Sequence, residues 1–417
     1  MATILPFKGI RPAQDKVHLV VTRSVDNYRL DVLKHKLETN PFSFLHVINP
    51  DFNDGKKTKP GSKERLQKVK KSFQQFLKDE IFIQDQKDSY YLYQQFKDGN
   101  VYTGIMGCSA VEDYDTGVIK KHEQTIKDRE EKLASYLDVC NFNAEPVLFS
   151  YQNNAIIDEI VSQVLLKHPM YDFSTTDKVR HKLWVISNSS TVRSIESEFR
   201  KINAVYIADG HHRSASSSSL AHSRKSKNPN HKGNEPYNFY LGVFFPEDQL
   251  KIVEFNRLVT DLNGLSKEEF LQKLKQNFKV VPHHSNPYKP EHKHKFGMYL
   301  DGSWYELISK SELGKQKDSV KKLDASILSD FILSPILGID DLRTNKRISF
   351  MPGVKGLNEL KNQVDQGKFT LAFVLYPVSM SELKHIADID GIMPPKTTWI
   401  EPKMRSGLLV YSLDNAL

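Results

Sequence analysis

The sequence predicts a mixed α/β (α+β) fold, and two observations support this prediction. Between residues 145 and 222, short apolar runs alternate with segments of helical spacing, as in an α/β layer. Earlier in the chain, residues 89–96 and 101–111 are β-type runs on either side of an Asp98-Gly99 turn, which is typical of a hairpin. We therefore expect a mixed sheet with additional antiparallel strands.

The first part of the chain is predicted to mix short strands with helices. Residues 17–21 and 44–48 are short apolar runs, which we interpret as strands. Ser62 is predicted to cap a long amphipathic helix. Another helix is predicted to begin near residue 121 and to continue to about residue 137, with His122 and Arg129 on one face and Glu123 on another.

The remaining elements follow from the same patterns. Strands are predicted at residues 145–151, 181–186, 204–208, 296–300, 304–308, 348–350 and 370–376, and residues 239–245 and 250–255 are predicted to form a strand pair. Helices are predicted at residues 153–167, 194–200, 267–278, 325–333 and 382–388, the last capped by Ser381. Residues 222–236 are polar and are predicted to form a loop. We divide the chain into an N-terminal mixed region (1–140), an α/β core (141–235) and a C-terminal α+β region with a basic tail (236–417).

Composition excludes several classes of protein. The chain has 417 residues, 39% hydrophobic and 26% charged, and no apolar run near the ~18 residues that span a bilayer. Its two cysteines exclude a disulfide framework, and its first residues lack the pattern of a secretory signal, so we expect a reducing cytoplasm. The net charge of +8 suits phosphorylated ligands but also nucleic acid or an acidic membrane.

One stretch stands out as a candidate binding site. Residues 204–208 are apolar, Asp209-Gly210 forms a sharp turn, and His211, His212, Arg213 and Ser214 open a helix. Unpaired N–H groups, the positive end of the helix dipole and an arginine would then meet at one place, which favours binding of phosphate. In the alternative interpretation, Asp209 is only a turn residue and the histidines lie on the surface. Four polar side chains directly after an apolar strand favour the functional interpretation.

The Ala-Asp-Gly-His-His-Arg sequence resembles the signature of a widespread prokaryotic family of unknown function. Further segments match the same family in the same order, so the resemblance covers nearly the whole chain. These segments are residues 7–12, 40–46, 121–125, 393–398, 402–403 and 406–408.

The resemblance implies further site residues. His122, Glu123 and Arg129 match the His-Glu and downstream arginine of the family pattern, with Thr125 as a weaker match. The rigid, basic tail contributes Lys396, Thr397, Lys403 and Ser406, as either a structural strap or a second phosphate-contacting segment.

More distantly, Gly210-x-His212-Arg213 is similar to the phosphate-binding turn of the superfamily of ParB, sulfiredoxin and a free-serine kinase. This similarity implies a ParB/sulfiredoxin-like core and a phosphotransferase that acts on a small metabolite such as free serine. ATP or ADP would donate the phosphoryl group, and Glu123 or Asp209 would take the hydroxyl proton or help to hold Mg²⁺. His122 would assist in this chemistry.

Three alternatives remain open at this point. The same anion site would suit hydrolysis of phosphoserine, a nucleotide-binding regulator of the ParB type that binds DNA, or a metabolite-binding protein without turnover. We do not expect nucleic acid as a partner, because the sequence shows neither a helix-turn-helix nor a recognition helix rich in arginine and lysine. No membrane partner is expected, and the sequence does not indicate an oligomeric state.

Overall fold

The computed structural model describes residues 1–283 and 287–414. The chain forms two compact units. Unit 1 comprises residues 1–121, 125–250 and 402–417, and unit 2 comprises residues 122–124 and 251–401. No helix in the described part of the chain is long and apolar enough to cross a membrane. The sequence analysis divided the chain into three consecutive regions, whereas these two units are groups of residues in contact and are not consecutive in sequence. The division into three regions therefore stays a prediction.

Strands and helices are numbered along the chain. The strands of unit 1 are β1 (Ile4–Leu5), β2 (Ile10–Pro12), β3 (Phe82–Gln84), β4 (Tyr90–Lys97), β5 (Asn100–Ala110), β6 (Ile119–Lys120), β7 (Phe142–Asn143), β8 (Val147–Tyr151), β9 (Tyr171–Ser174), β10 (Arg180–Ile186), β11 (Val205–Asp209), β12 (Phe239–Pro246) and β20 (Tyr411–Ser412). Its helices are α1 (Val17–Val20), α2 (Leu30–Thr39), α3 (Leu45–Ile48), α4 (Asp51–Asp54), α5 (Lys63–Lys78), α6 (Val111–Asp115), α7 (Lys127–Cys140), α8 (Ala155–Leu165), α9 (Ser189–Phe199) and α10 (His211–Lys227).

The main sheet of unit 1 is mixed. Its strand order is β6-β11-β8-β12-β5-β4-β10-β9, and β1 also pairs with β5. The β11/β6 and β12/β8 pairs are parallel, whereas β4/β5 and β10/β4 are antiparallel. The predicted mixed sheet with additional antiparallel strands is therefore confirmed. The β4–β5 hairpin closes through Asp98 and Gly99, which both adopt positive φ angles, as the sequence predicted.

Apolar side chains on one face of this sheet form the core that supports β11. Ile207 on β11, Phe149 on β8 and Phe244 on β12 are fully buried in one cluster. The Phe149 and Phe244 rings are stacked with centroids 4.8 Å apart. Because both of its neighbouring strands are in this sheet, β11 is a rigid support for the residues that follow it.

Unit 2 is built on a second, antiparallel sheet. Its strands are β13 (Lys251–Val259), β14 (Phe278–His283), β15 (Lys295–Leu300), β16 (Ser303–Ser309), β17 (Ile348–Pro352), β18 (Leu371–Val374) and β19 (Thr398–Glu401). The order is β14-β16-β15-β18-β13-β17, and β19 also pairs with β13. Helices α11 (Lys267–Leu274), α12 (Asp324–Leu328), α13 (Leu357–Asp365) and α14 (Met380–Asp388) accompany it, and a π-helix at Ser329–Leu333 follows α12.

Several sequence predictions of local structure were wrong. The apolar runs at 17–21 and 44–48 form the short helices α1 and α3, because each buries its apolar side chains within one helical turn. Runs this short fit either periodicity, so the pattern could not decide between strand and helix. Strands β12 and β13 do not pair with each other, since they belong to different sheets.

Helix boundaries also differed at several places, including the start of α9 at Ser189 and the end of α11 at Leu274. Helix α7 begins only at Lys127, so His122 and Glu123 precede it and share no helix face with Arg129. Helix α10 continues to Lys227, into the segment predicted as a loop. The cap of α14 is Ser379, not Ser381, and Glu382 completes its capping box. By contrast, Ser62 caps α5 as predicted, accepting a hydrogen bond from the Arg65 N–H.

Candidate functional site

The candidate site is the junction between β11 and α10. Strand β11 ends at Asp209, with a register shift against β8 between Ile207 and Asp209. Gly210 follows with φ 108° and ψ 29°, a conformation that favours glycine. A Cβ atom at Gly210 would lie 2.8 Å from Arg213 Nε, so the turn also needs glycine for space. The bulge and the glycine together set the direction of the Asp209 side chain and the start of α10.

Asp209 lies between two cations. Its Oδ1 accepts a hydrogen bond from Lys403 Nζ at 2.9 Å, and its Oδ2 accepts one from Arg213 Nη2 at 2.5 Å. Burial raises the pKa of Asp209, but the Lys403 and Arg213 charges more than offset this and hold the pKa well below its usual range. The carboxylate is therefore a weak base that positions Lys403 and Arg213.

Arg213 is also fixed by a backbone carbonyl outside the turn. Its Nη1 donates to the Pro146 carbonyl at 2.5 Å, and its side chain is about three-quarters buried. Nε has no hydrogen-bond partner among the described residues, so one guanidinium edge keeps donor capacity. A guanidinium oriented in this way is suited to bind oxygens of a phosphate group.

The backbone at the start of α10 adds to this positive field. The N–H groups of Arg213 and Ser214 both donate to the Gly210 carbonyl, at 2.9 and 3.1 Å. Within the described part of the chain, no side chain caps this 17-residue helix. An uncapped helix N-terminus favours a bound anion, through its N–H groups and its dipole.

The two histidines have different environments. His211 is buried, whereas His212 is half-buried and its Nε2 accepts a hydrogen bond from the Ile126 N–H at 3.0 Å. That bond requires Nε2 to be unprotonated, so it favours the neutral tautomer with a proton on Nδ1. His212 thus connects the start of α10 to the residue that precedes α7.

Unit 1 also contains Thr125, Arg129, Ser214 and Ser406. Arg129 is exposed in the first turn of α7, the helix that packs on α10, and Thr125 donates a hydrogen bond to Glu130. Ser214 is fully buried beside Tyr240. Ser406 is buried as well, and its hydroxyl donates to Glu145 Oε1 at 2.6 Å. The contact between Ser406 and Glu145 is typical of a structural tail segment that is anchored to the rest of the fold.

His122, Glu123, Lys396 and Thr397 belong to unit 2. There, the His122 carbonyl accepts a hydrogen bond from the Met393 N–H at 2.9 Å, so two segments with family-like sequence meet within this unit. The Lys396 ammonium lies 5.6 Å from the Phe255 ring centroid, and the Thr397 hydroxyl donates to the Pro394 carbonyl. Glu123 is half-buried.

Sequence reasoning missed the Pro146 carbonyl, which helps to orient Arg213. A backbone acceptor carries no side-chain signal, and only the position of Pro146 directly before β8 could have suggested it. Among the residues that the structure describes, no group of three or more histidine, cysteine, aspartate or glutamate side chains could hold a metal ion.

The mixed α/β fold and the uncapped helix with its paired cations define a protein with a candidate anion-binding turn. A family described as "Protein of unknown function (DUF1015)" matches residues 4–326. The chain belongs to this family, in agreement with the sequence resemblance.

Comparison with solved structures finds distant similarity. Free serine kinase in complex with AMP is 12% identical, with 72% of this chain and 90% of that chain covered and a TM-score of 0.36. SbnI from Staphylococcus aureus, with a C-terminal truncation, is 14% identical, with 74% and 87% covered and a TM-score of 0.39. A conserved hypothetical protein from Pyrococcus furiosus is 12% identical, with 73% and 94% covered and a TM-score of 0.36. No curated protein matches the sequence. These distant similarities assign no activity to this chain.

Proposed function

We propose that the chain binds the phosphate groups of a nucleotide at the start of α10 and transfers a phosphoryl group to a small hydroxyl metabolite such as free serine. The observation that carries this proposal is the position of Arg213 and Lys403, held on either side of Asp209 at an uncapped helix N-terminus. Phosphoryl transfer depends on positioned positive charge more than on covalent chemistry by the protein.

Each group at the turn has a role in this proposal. The backbone N–H groups of Gly210, His211 and His212 and the guanidinium of Arg213 hold phosphate oxygens, whereas Asp209 orients the cations. Ser214 remains a predicted phosphate-binding residue. The serine hydroxyl oxygen bonds to the terminal phosphorus as the bond to the bridging oxygen breaks. AMP then leaves from ADP, or ADP leaves from ATP, with Mg²⁺ balancing phosphate charge.

The proton of the attacking hydroxyl needs a base. The low pKa of Asp209 makes it unsuited to this step. Glu123 remains the carboxylate that the family pattern predicts for the step, with His122 beside it in sequence. Arg129, Lys396, Thr397 and Ser406 remain predicted binding residues, and alanine substitution of each one tests that prediction.

The test is to incubate the pure protein with serine, Mg²⁺ and either ADP or ATP, and to detect phosphoserine. We expect Arg213→Ala to lower kcat/KM by roughly 100-fold, as loss of a preorganised cationic donor does. Arg180→Ala is the matched control, because Arg180 forms an exposed ion pair with Asp172 elsewhere in unit 1, and we expect a change below about twofold.

Other outcomes identify the alternatives. No phosphoserine with any nucleotide would remove the kinase proposal, and phosphate release from phosphoserine would instead indicate hydrolysis. Ligand-dependent thermal stabilisation without any product would indicate a metabolite-binding protein. Salt-sensitive DNA binding that changes with nucleotide and Mg²⁺ would indicate a regulator of the ParB type.

A further inference from the structure

A cavity of about 270 Å³ lies within unit 1, next to the first two turns of α10. Arg213, Ser216 and Ser217 form its α10 wall, and α7 forms another wall. The hydroxyls of Ser216 and Ser217 both donate to the Arg213 carbonyl, so this wall is one helical turn further along than the anion-binding turn. A ligand whose phosphate lies at the start of α10 could therefore extend into the cavity.

The size of the cavity limits what it can hold. Its volume lies just below the range of about 300–1,000 Å³ for small-molecule pockets. It therefore fits one ring system better than a whole nucleotide.

The lining combines apolar surface with polar groups, two of which lie close together on one wall. Phe142, Val147 and Leu241 contribute apolar surface. Asn143, at the end of β7, and Glu145, between β7 and β8, contribute hydrogen-bonding groups. An apolar cavity without polar groups would suit a plain hydrophobic ligand, or would stay empty. The placement of an amide and a carboxylate two residues apart indicates a ligand with an apolar face and a polar edge.

Both polar groups have unused hydrogen-bonding capacity. Asn143 is 8% exposed and its Oδ1 accepts from the Leu241 N–H at 3.1 Å, but its amide nitrogen has no partner among the described residues. Glu145 Oε1 accepts from Ser406, and Oε2 has no partner within the described part of the chain. Glu145 is half-buried and Asn143 is mostly buried, so this wall presents one available donor and one available acceptor to a ligand in the cavity.

We propose that this cavity receives the purine base of the nucleotide whose phosphates lie at the start of α10, an inference that rests on the proposed function. A purine has flat apolar faces and an edge with both donors and acceptors. The Asn143 amide donates to a ring nitrogen or carbonyl of the base, and Glu145 accepts from its exocyclic amine or ring N–H. The same geometry makes Arg213 the link between the phosphate end and the base end.

The test compares binding of pyrophosphate, ADP and GDP to the full chain by calorimetry. Ala144 lines the cavity, and Ala144→Leu would occupy part of its volume. Glu145→Gln keeps the size of the side chain and removes its charge. Ala155→Leu makes the same alanine-to-leucine change at an exposed position of α8 and is the matched control.

For the natural chain, we expect ADP or GDP to bind at least tenfold more tightly than pyrophosphate. Ala144→Leu should remove this preference while the Kd of pyrophosphate changes less than twofold, and Ala155→Leu should leave all three affinities unchanged. If Ala144→Leu fails to fold, Glu145→Gln decides, with an expected loss of about fivefold or more for the purine nucleotides only.

The two proposals fail differently. Pyrophosphate binding without any preference for purine nucleotides would overturn the base site and leave the phosphate site standing. Purine binding that is unaffected by Ala144→Leu and Glu145→Gln would also overturn the base site. Absence of binding by pyrophosphate and both nucleotides would overturn the proposed function itself.

Discussion

Two arginines, one in each unit, show how differently a protein can place the same charge. Arg213 in unit 1 is partly solvated, bonded to the Asp209 carboxylate and fixed to the Pro146 carbonyl. Arg257 in unit 2 is fully buried on β13, where its Nη1 donates to the Phe255 carbonyl at 2.7 Å. Its Nε and Nη2 have no partner among the described residues, and its guanidinium lies 4.7 Å from the Phe350 ring centroid.

The presence or absence of a neighbouring carboxylate determines whether each arginine can bind an anion. Asp209 orients Arg213 and lowers the cost of bringing two cations together, so Arg213 can receive an anion without major rearrangement. Burial lowers the pKa of Arg257 to about 9, so the guanidinium still carries its charge at neutral pH. Among the described residues no carboxylate pairs with it, which is a costly arrangement in unit 2.

Substitution of Arg257 should give the largest effects. We expect Arg257→Ala to lower the free energy of unfolding by about 2–5 kcal/mol, because it leaves a cavity in the sheet face. Arg257→Met keeps most of the volume and removes the unpaired charge, so we expect it to be neutral or stabilising by about 1–4 kcal/mol. Urea denaturation of the full chain, monitored by fluorescence and circular dichroism, measures both.

Arg213→Met is the matched change in unit 1. We expect it to lower stability by about 1–2 kcal/mol, because it leaves Asp209 with one cation instead of two. If Arg257→Met proved as destabilising as Arg257→Ala, then the charge of Arg257 would be compensated, and the contrast between the two arginines would disappear.

His181 extends the contrast to a side chain that can lose its charge. It is fully buried on β10, with its Nδ1 2.7 Å from the Tyr93 hydroxyl, and burial lowers its pKa to about 3. In the unfolded chain its pKa is near 6.5, so between pH 6.5 and 3 the unfolded state binds the extra proton. The stability that neutral His181 provides is therefore complete above pH 6.5 and is lost progressively as the pH falls towards 3.

We expect this single group to lower the free energy of unfolding by about 2 kcal/mol between pH 6.5 and pH 5. His181→Gln cannot take up a proton, so its stability should depend less on pH in this range by about that amount. Urea denaturation at a series of pH values compares the two chains. Parallel pH profiles for the natural chain and His181→Gln would show that His181 is not held neutral.

The parts of the candidate site that were predictable from sequence are those with local signals. The order of an apolar strand, Asp209-Gly210 and a run of polar residues determined the turn and the start of α10, because strand, turn and cap preferences act over a few residues. Lys403 was identified through its family-like segment, although its contact with Asp209 joins positions 194 residues apart.

Other features had no local signal. Arg257 lies in an ordinary β-type run, and its burial follows only from the way β17 and β18 pair on either side of β13. The free amide of Asn143 likewise depends on its bond to Leu241, on a distant strand. The runs at 17–21 and 44–48 were assigned to strands because only tertiary packing distinguishes a buried helical turn from a short strand.

An effect as small as that of Arg213→Met concerns Gly210, the glycine beside the Arg213 guanidinium. Gly210→Ala forces a side chain into a positive-φ position and places a Cβ atom 2.8 Å from Arg213 Nε. We expect a loss of about 1–2 kcal/mol in unfolding free energy, and weaker binding of pyrophosphate because the guanidinium must move.

Gly117→Ala is the matched control, since Gly117 has φ 77° and no atom within 4 Å of its added Cβ. It should cost similar backbone strain and leave pyrophosphate binding unchanged. If Gly210→Ala and Gly117→Ala bound pyrophosphate equally well, the anion would not contact Arg213. Arg213 would then be a structural arginine like Arg257, and not one oriented towards a ligand.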